Sequence, residues 1–236
     1  MAKLKPILFN TDMVEAILDG RKTVTRRVAN INTEIQCNDG TTDHEFVLDN
    51  FNPCYRPTGF VCRKCGFGVA PPHSRDPVGT SLFRPRYLPG DILYVRETWR
   101  VNSASSPPRR CNIGYKAGGD ATFDEIIALP TVKREWKPSI HMPKKAARIF
   151  LWVTHVRVER LQDITADECP MEGVWPLAAC TVGERESYYK TAFSKLWDST
   201  VKPSEKPSYG WDANPWVWVI KFEKISREEA MKEEKQ

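Results

Sequence analysis

Apolar and polar positions alternate most regularly between Ala147 and Leu161. Ile149, Leu151, Val153, His155, Arg157 and Glu159 fall on one side of an extended chain, and Phe150, Trp152, Thr154, Val156, Val158 and Arg160 on the other. A period of two built from β-branched and aromatic residues predicts a long strand. Similar reasoning predicts strands over Ile92–Trp99, after the turn Leu88-Pro89-Gly90-Asp91, over 215–225, and shorter ones at Ile7-Leu8-Phe9 and 113–117. Residues 102–112 read as loop and 120–139 as a segment with one helical turn. Spacings of three and four appear at Met13, Ala16 and Ile17. They predict a short helix, capped by Thr11 or Asp12 and stopped by a left-handed Gly20. A second amphipathic helix is expected over 185–197, with Tyr189, Ala192, Phe193 and Leu196 on one side. Thr165 and Glu168 have the spacing of a capping box, and Glu172-Gly173-Val174 closes the helix it starts.

Several strands and few helices, without regular alternation, predict an α+β class with a mixed or largely antiparallel sheet; a small barrel suits that order. A single domain over 1–225 and a charged tail over 226–236 follow. Residues 30–86 break the pattern. Asn, Asp, Gly, Pro and Thr dominate there, and a loop of that length needs something to order it. The segment reads as an insertion. It carries Cys37, Cys54, Cys62 and Cys65, and Cys62-Arg63-Lys64-Cys65 has the spacing of half a zinc knuckle. Four thiolates from these positions, with His44 or His73 as substitutes, would hold a structural zinc. No metal is expected in catalysis.

Composition adds little until it is placed. A hydrophobic share of 41% supports a real core, and the net charge of +5 permits an anionic partner without requiring one. No stretch approaches the ~18 apolar residues of a membrane span. The polar start Met1-Ala2-Lys3-Leu4-Lys5-Pro6 lacks a secretory core, so a cytoplasmic location without membrane attachment is the expectation. The odd count of seven cysteines argues for reduced thiols or metal rather than a disulfide framework, and Cys111, Cys169 and Cys180 read as ordinary thiols.

The segment Arg21-Lys22-Thr23-Val24-Thr25-Arg26-Arg27 concentrates cations and hydroxyls after the first helix. With Arg109, Arg110, Lys144 and Lys145 it would form a phosphate-binding surface if these positions converge. Positions 22 and 25 point to opposite faces of a regular strand, so they share one side only if a turn lies between them. Arg96 and Glu97 end an apolar strand, where Glu97 would read an exocyclic amine and Trp99 would stack on a base. The Trp136–Pro143 loop, with His141, is rigid enough to cover a ligand. Tyr209–Trp216 reads as an aromatic loop that packs or stacks.

Four segments together resemble the ASCH family of the PUA-like superfamily. Ile17-Leu18-Asp19-Gly20-Arg21-Lys22-Thr23-Val24-Thr25-Arg26 resembles its G-x-K-x-x-T-x-R motif. Pro89–Glu97 resembles its G-D strand. Val158–Thr165, followed by Glu172-Gly173, and the closing strand Trp216–Phe222 fit in order. The chain is most similar to the longer ASCH proteins of phages and prophages. The resemblance implies a PUA-like small mixed β-barrel flanked by helices. It also implies an activity like that of bacterial amidohydrolases that remove the acetyl group of N4-acetylcytidine. Lys22, Thr25 and Glu172 match the proposed catalytic set of those enzymes. Arg26, Arg96, Glu97, Trp99 and His141 are expected to bind the substrate, a nucleoside or RNA. The alternatives are an RNA- or modified-base-binding module without catalysis, and an RNase.

Overall fold

The protein is described from a computed structural model covering residues 4–29, 46–48, 60–62, 68–69, 85–105, 110–124, 135–175 and 182–235. In chain order the elements are β1 (Leu4–Leu8), α1 (Thr11–Leu18), β2 (Val24–Val28), β3 (Phe46–Leu48), β4 (Phe60–Cys62), β5 (Gly68–Val69), β6 (Ile92–Arg96), β7 (Trp99–Ser105), β8 (Arg110–Tyr115), β9 (Asp120–Asp124), β10 (Phe150–Arg160), α2 (Glu168–Met171), α3 (Val182–Thr200), α4 (Lys206–Tyr209), β11 (Trp216–Ile225) and α5 (Arg227–Lys235). The class is mixed α+β. The chain divides into two compact units, each gathered from separated stretches. One comprises Met1–Thr23, Gly90–Val153 and Phe222–Gln236; the other comprises Val24–Pro89 and Thr154–Lys221.

In the first unit β1 runs parallel to β6, from Leu4 opposite Ile92 to Leu8 opposite Arg96. The other edge of β6 pairs antiparallel with Phe150–Trp152 of β10. β7, β8 and β9 form a separate antiparallel sheet. Here the structure departs from the expected loop at 102–112. β7 continues to Ser105 and β8 begins at Arg110, because small polar residues on an edge of a hairpin satisfy their backbone through the partner strand. Residues 120–124 likewise form the third strand rather than helix. The expected strand over 92–99 is two strands, divided at Glu97 and Thr98. Ile92, Trp99, Val101, Ile113, Tyr115, Met142 and Phe150 make the core, and α5 adds Ala230 and Met231 from the charged tail.

The cap of α1 lies one residue before the expected ones. Asn10 takes the cap, its Oδ1 accepting from the Met13 N–H at 2.9 Å, while Thr11 and Asp12 are already helical. Val14, Ala16 and Ile17 are the buried face. At the far end Gly20 has φ 76°, the left-handed geometry expected of it. The turn it makes lets the Lys22 N–H donate to the Ala16 carbonyl at 2.9 Å.

In the second unit β2 pairs antiparallel with β11, from Val24 opposite Lys221 to Val28 opposite Val217. Val24, Leu161, Ile164, Val217 and Val219 pack with Tyr189, Phe193 and Trp197 of α3. The last three recur every four residues, which places them on one side of the helix. The capping box at Thr165 is present in reciprocal form: Glu168 N–H donates to Thr165 Oγ1 at 3.3 Å, and Thr165 N–H to Glu168 Oε2 at 3.5 Å. The loop before β11 packs. Trp211 meets the Phe193 ring edge-on at 6.0 Å, and Trp216 is buried beneath Arg160.

Gly20 meets no atom that a Cβ would strike, so the cost of replacing it is purely backbone. A non-glycine residue in this conformation loses roughly 1–2 kcal/mol. Gly20→Ala is expected to lower the unfolding free energy by that amount, read from the midpoint of urea denaturation.

Candidate functional site

Lys22 lies in the turn after Gly20, and β2 starts at Val24. The alternation of a strand therefore does not govern the relation of positions 22 and 25. Lys22 is only 2% exposed, with its ammonium 5.6 Å above the centre of the Phe9 ring. Thr25, the second residue of β2, is 3% exposed. Glu172, also 3% exposed, caps the C-terminus of α2, and Gly173 follows it at φ 97°. A lysine, a threonine and a glutamate matching the motif are thus each withdrawn from water. The first belongs to one unit and the other two to the second.

The second unit holds a feature that the sequence reading did not anticipate. Arg26 stands opposite Val219 on the sheet face shared with Val24, Val28 and Val217, where alternation would place an apolar residue. Its side chain has no exposed surface, and its guanidinium lies 5.9 Å above the Phe193 ring. Water is replaced by carboxylates. Arg26 Nε and Nη2 donate to Glu159 Oε1 at 2.9 and 2.5 Å. Nη2 also reaches Glu168 Oε2 at 2.6 Å, and Nη1 reaches Glu172 Oε1 at 3.1 Å. Arg157 joins from β10, with Nε on Glu159 Oε2 at 2.9 Å and Nη2 on Glu168 Oε1. Arg27 supplies a further positive charge that is felt by Glu172.

Burial disfavours the Arg26 cation, but Glu172, Glu159 and Glu168 outweigh it and hold its pKa above the ordinary value. For Arg27 burial prevails and lowers the pKa, against Tyr87 and Glu172. Glu168 is partly desolvated, which alone would raise its pKa; Arg26 and Arg157 reverse the sign and lower it. The neighbouring Cys169 thiol is pushed up to about 12, chiefly by burial and against the pull of Arg26, so it is no nucleophile near neutrality.

Arg26 was expected to meet substrate; the structure places it among Glu159, Glu168 and Glu172 instead. The signal available in the sequence was slight. Arg157 and Glu159 sit two apart on one face of a strand that is otherwise largely apolar, and Arg26 sits midway between Val24 and Val28.

The remaining candidates lie in the first unit. Arg96 Nε donates to the Met142 carbonyl at 2.8 Å and Nη2 to the Ile140 carbonyl, so Arg96 clasps the loop that carries His141. His141 is exposed. Glu97 is buried and receives both Arg148 Nε and Nη2 at 2.9 Å. Burial raises its pKa, with Arg148 pulling it back. Trp99 is in the core; its backbone bridges to Lys137, whose ammonium lies 5.0 Å over the indole. Its Nε1–H has no acceptor among the described residues. Arg96, Trp99 and His141 therefore gather around the 136–142 loop. Of the proposed basic surface, Arg26 and Lys22 are buried, Arg110, Lys144 and Lys145 are exposed, and Arg109 lies outside the described residues. The zinc candidates Cys37, Cys54, Cys62 and Cys65 have side chains outside the described residues, as does Cys180. Among the described residues, no group of three or more His, Cys, Asp and Glu side chains is arranged to hold a metal ion, and no helix is long and apolar enough to cross a membrane.

Two outcomes follow from the ion network. Arg26→Met leaves three carboxylates without their shared cation and is expected to cost roughly 3–5 kcal/mol of unfolding free energy, measured by urea denaturation at neutral pH. Glu168, with its folded pKa lowered, contributes stability that is complete above its unfolded value of 4.5 and is lost as pH falls through the folded value. Glu168→Gln should therefore remove part of the acid destabilisation seen as pH falls below 4.5, and an unchanged acid response would count against the pairing.

Comparison of the chain with protein-family models, with curated proteins and with solved structures gave no match.

Proposed function

We propose that the chain is an amidohydrolase that removes acyl groups from N4-acylated cytosine or cytidine, on a PUA-like barrel architecture with helices at its flank. The observation that carries this reading is the burial of Lys22, Thr25 and Glu172, at 2%, 3% and 3% exposure. Lys and Glu side chains are seldom so buried unless they are paired or functional. The resemblance to the ASCH motif assigns the same positions.

The reaction adds water across an amide. An oxygen nucleophile attacks the acyl carbon, the C–N bond breaks, and the exocyclic nitrogen leaves with a proton as the free amine, releasing the carboxylic acid. Thr25 orients the attacking water, or it attacks with its own hydroxyl and forms an ester that water then hydrolyses to release the acid and restore Thr25. Lys22 serves as the base or as the cation that meets the oxyanion. Glu172 takes the proton and returns it to the leaving nitrogen. No metal is needed for these steps. A structural zinc in the Cys37–Cys65 segment would be separate from them.

One observation favours a second reading, a module that binds RNA or a modified base without turnover. Trp136 is 41% exposed, and the Arg100 guanidinium lies 4.6 Å over its ring. An exposed indole beside a cation is a sequence-tolerant stacking surface.

Purified protein incubated with N4-acetylcytidine should release cytidine, and Lys22→Ala should reduce the rate by at least about 100-fold, the lower end of the range for a general base or oxyanion donor. Full hydrolysis by Lys22→Ala would remove the assignment. Absence of turnover together with salt-sensitive RNA binding would establish the second reading in its place.

A further inference from the structure

We propose that Arg26 is a positioning residue for Glu172, acting through a fixed guanidinium plane and not by touching substrate; the assignment rests on the amidohydrolase reading above. The contacts of Arg26 form a closed circuit. Arg26 binds Glu159 Oε1, Glu159 Oε2 binds Arg157, Arg157 binds Glu168 Oε1, and Glu168 Oε2 returns to Arg26. Two cations and two carboxylates make the circuit neutral. Each carboxylate uses both oxygens, so neither can rotate without breaking a bond on its far side. Arg26 is fastened by Nε and Nη2, and Nη1 is directed out of the circuit to Glu172 Oε1 at 3.1 Å.

Glu172 ends a four-residue helix and precedes a glycine in a left-handed conformation, so its carboxylate is placed by contacts from outside α2, the Arg26 Nη1 bond among them. Arg26 belongs to a strand registered against β11 over five residue pairs. The Nη1–Oε1 bond refers the carboxylate to that strand. The planar fork of arginine can close the circuit and still reach Glu172, whereas a lysine ammonium, a point donor on a flexible stem, cannot do both. With its side chain fully covered, Arg26 presents no donor to a phosphate in solution.

The test is steady-state hydrolysis of N4-acetylcytidine by the full-length wild-type protein, Arg26→Lys and Glu159→Gln. Arg26→Lys keeps the charge and loses the fork. Glu159→Gln keeps the Arg26 and Glu172 side chains and opens the circuit at a direct partner of Arg26, which covers the case in which Arg26→Lys fails to fold. Each variant is expected to lose roughly 10- to 100-fold in kcat, the scale of a misplacement of about 1 Å, with KM within about twofold of wild type. A purely structural role would lower the amount of folded enzyme and leave this kcat-against-KM split unmoved in the folded fraction. A tenfold rise in KM with kcat retained, on the order expected for lost ground-state binding, would overturn the assignment in favour of substrate contact. So would wild-type kcat in both variants. A wild-type protein without turnover would overturn the amidohydrolase reading, and this assignment with it.

Discussion

A guanidinium with no exposed surface is tolerable only when other groups replace its water. In this protein Arg26 occupies a sheet position flanked by valines, and Glu159, Glu168 and Glu172 take the place of solvent around it. The penalty for burying such an ion is several kcal/mol, and removal of one partner leaves the others uncompensated. The network therefore ties β2, β10 and α2 into one arrangement. A shift of any one of them breaks a charged hydrogen bond, whereas an apolar contact would simply slide. It also explains why a helix as short as α2 is well placed: Glu168 links its first turn to Arg26 and Arg157 while completing the capping box with Thr165.

The first unit uses the same device at smaller scale. Glu97 interrupts what alternation would continue as one strand from Ile92 to Trp99, and its buried carboxylate is satisfied by the two-pronged donation of Arg148. Arg148 in turn lies over the Tyr115 ring at 4.1 Å. Arg96, the residue before it, holds the 140–142 loop through main-chain carbonyls. In both units, then, arginines read in the sequence as contacts for a ligand are engaged in fastening the scaffold. Lys22, Thr25 and Glu172 are each buried, and Trp136 keeps an exposed indole.

Most of the local structure was legible beforehand. Gly20 stops its helix, Thr165 and Glu168 form their box, β10 and β11 lie where period-two patterning put them, and Tyr189 with Phe193 marks the inner face of α3. These features depend on neighbours within about four residues, the range over which helix contacts, caps and turns act. The errors fall where that range is exceeded. Ser103-Ala104-Ser105 has weak strand character by itself and becomes a strand because β8 supplies its hydrogen-bond partners. The tail is charged throughout, yet Ala230 is buried because α5 packs it on the core of the first unit.

The candidate site divides along the same line. The sequence by itself determined the spacing of Lys22 and Thr25, the turn at Gly20 that precedes them, and the place of Glu172 before Gly173. Only the tertiary structure decided what Arg26 does. Its carboxylate partners lie 133, 142 and 146 residues away, and no local rule chooses among the acidic residues at such separations. They are selected by the packing of strands and helices around a position where burial makes an unpaired charge too costly to keep.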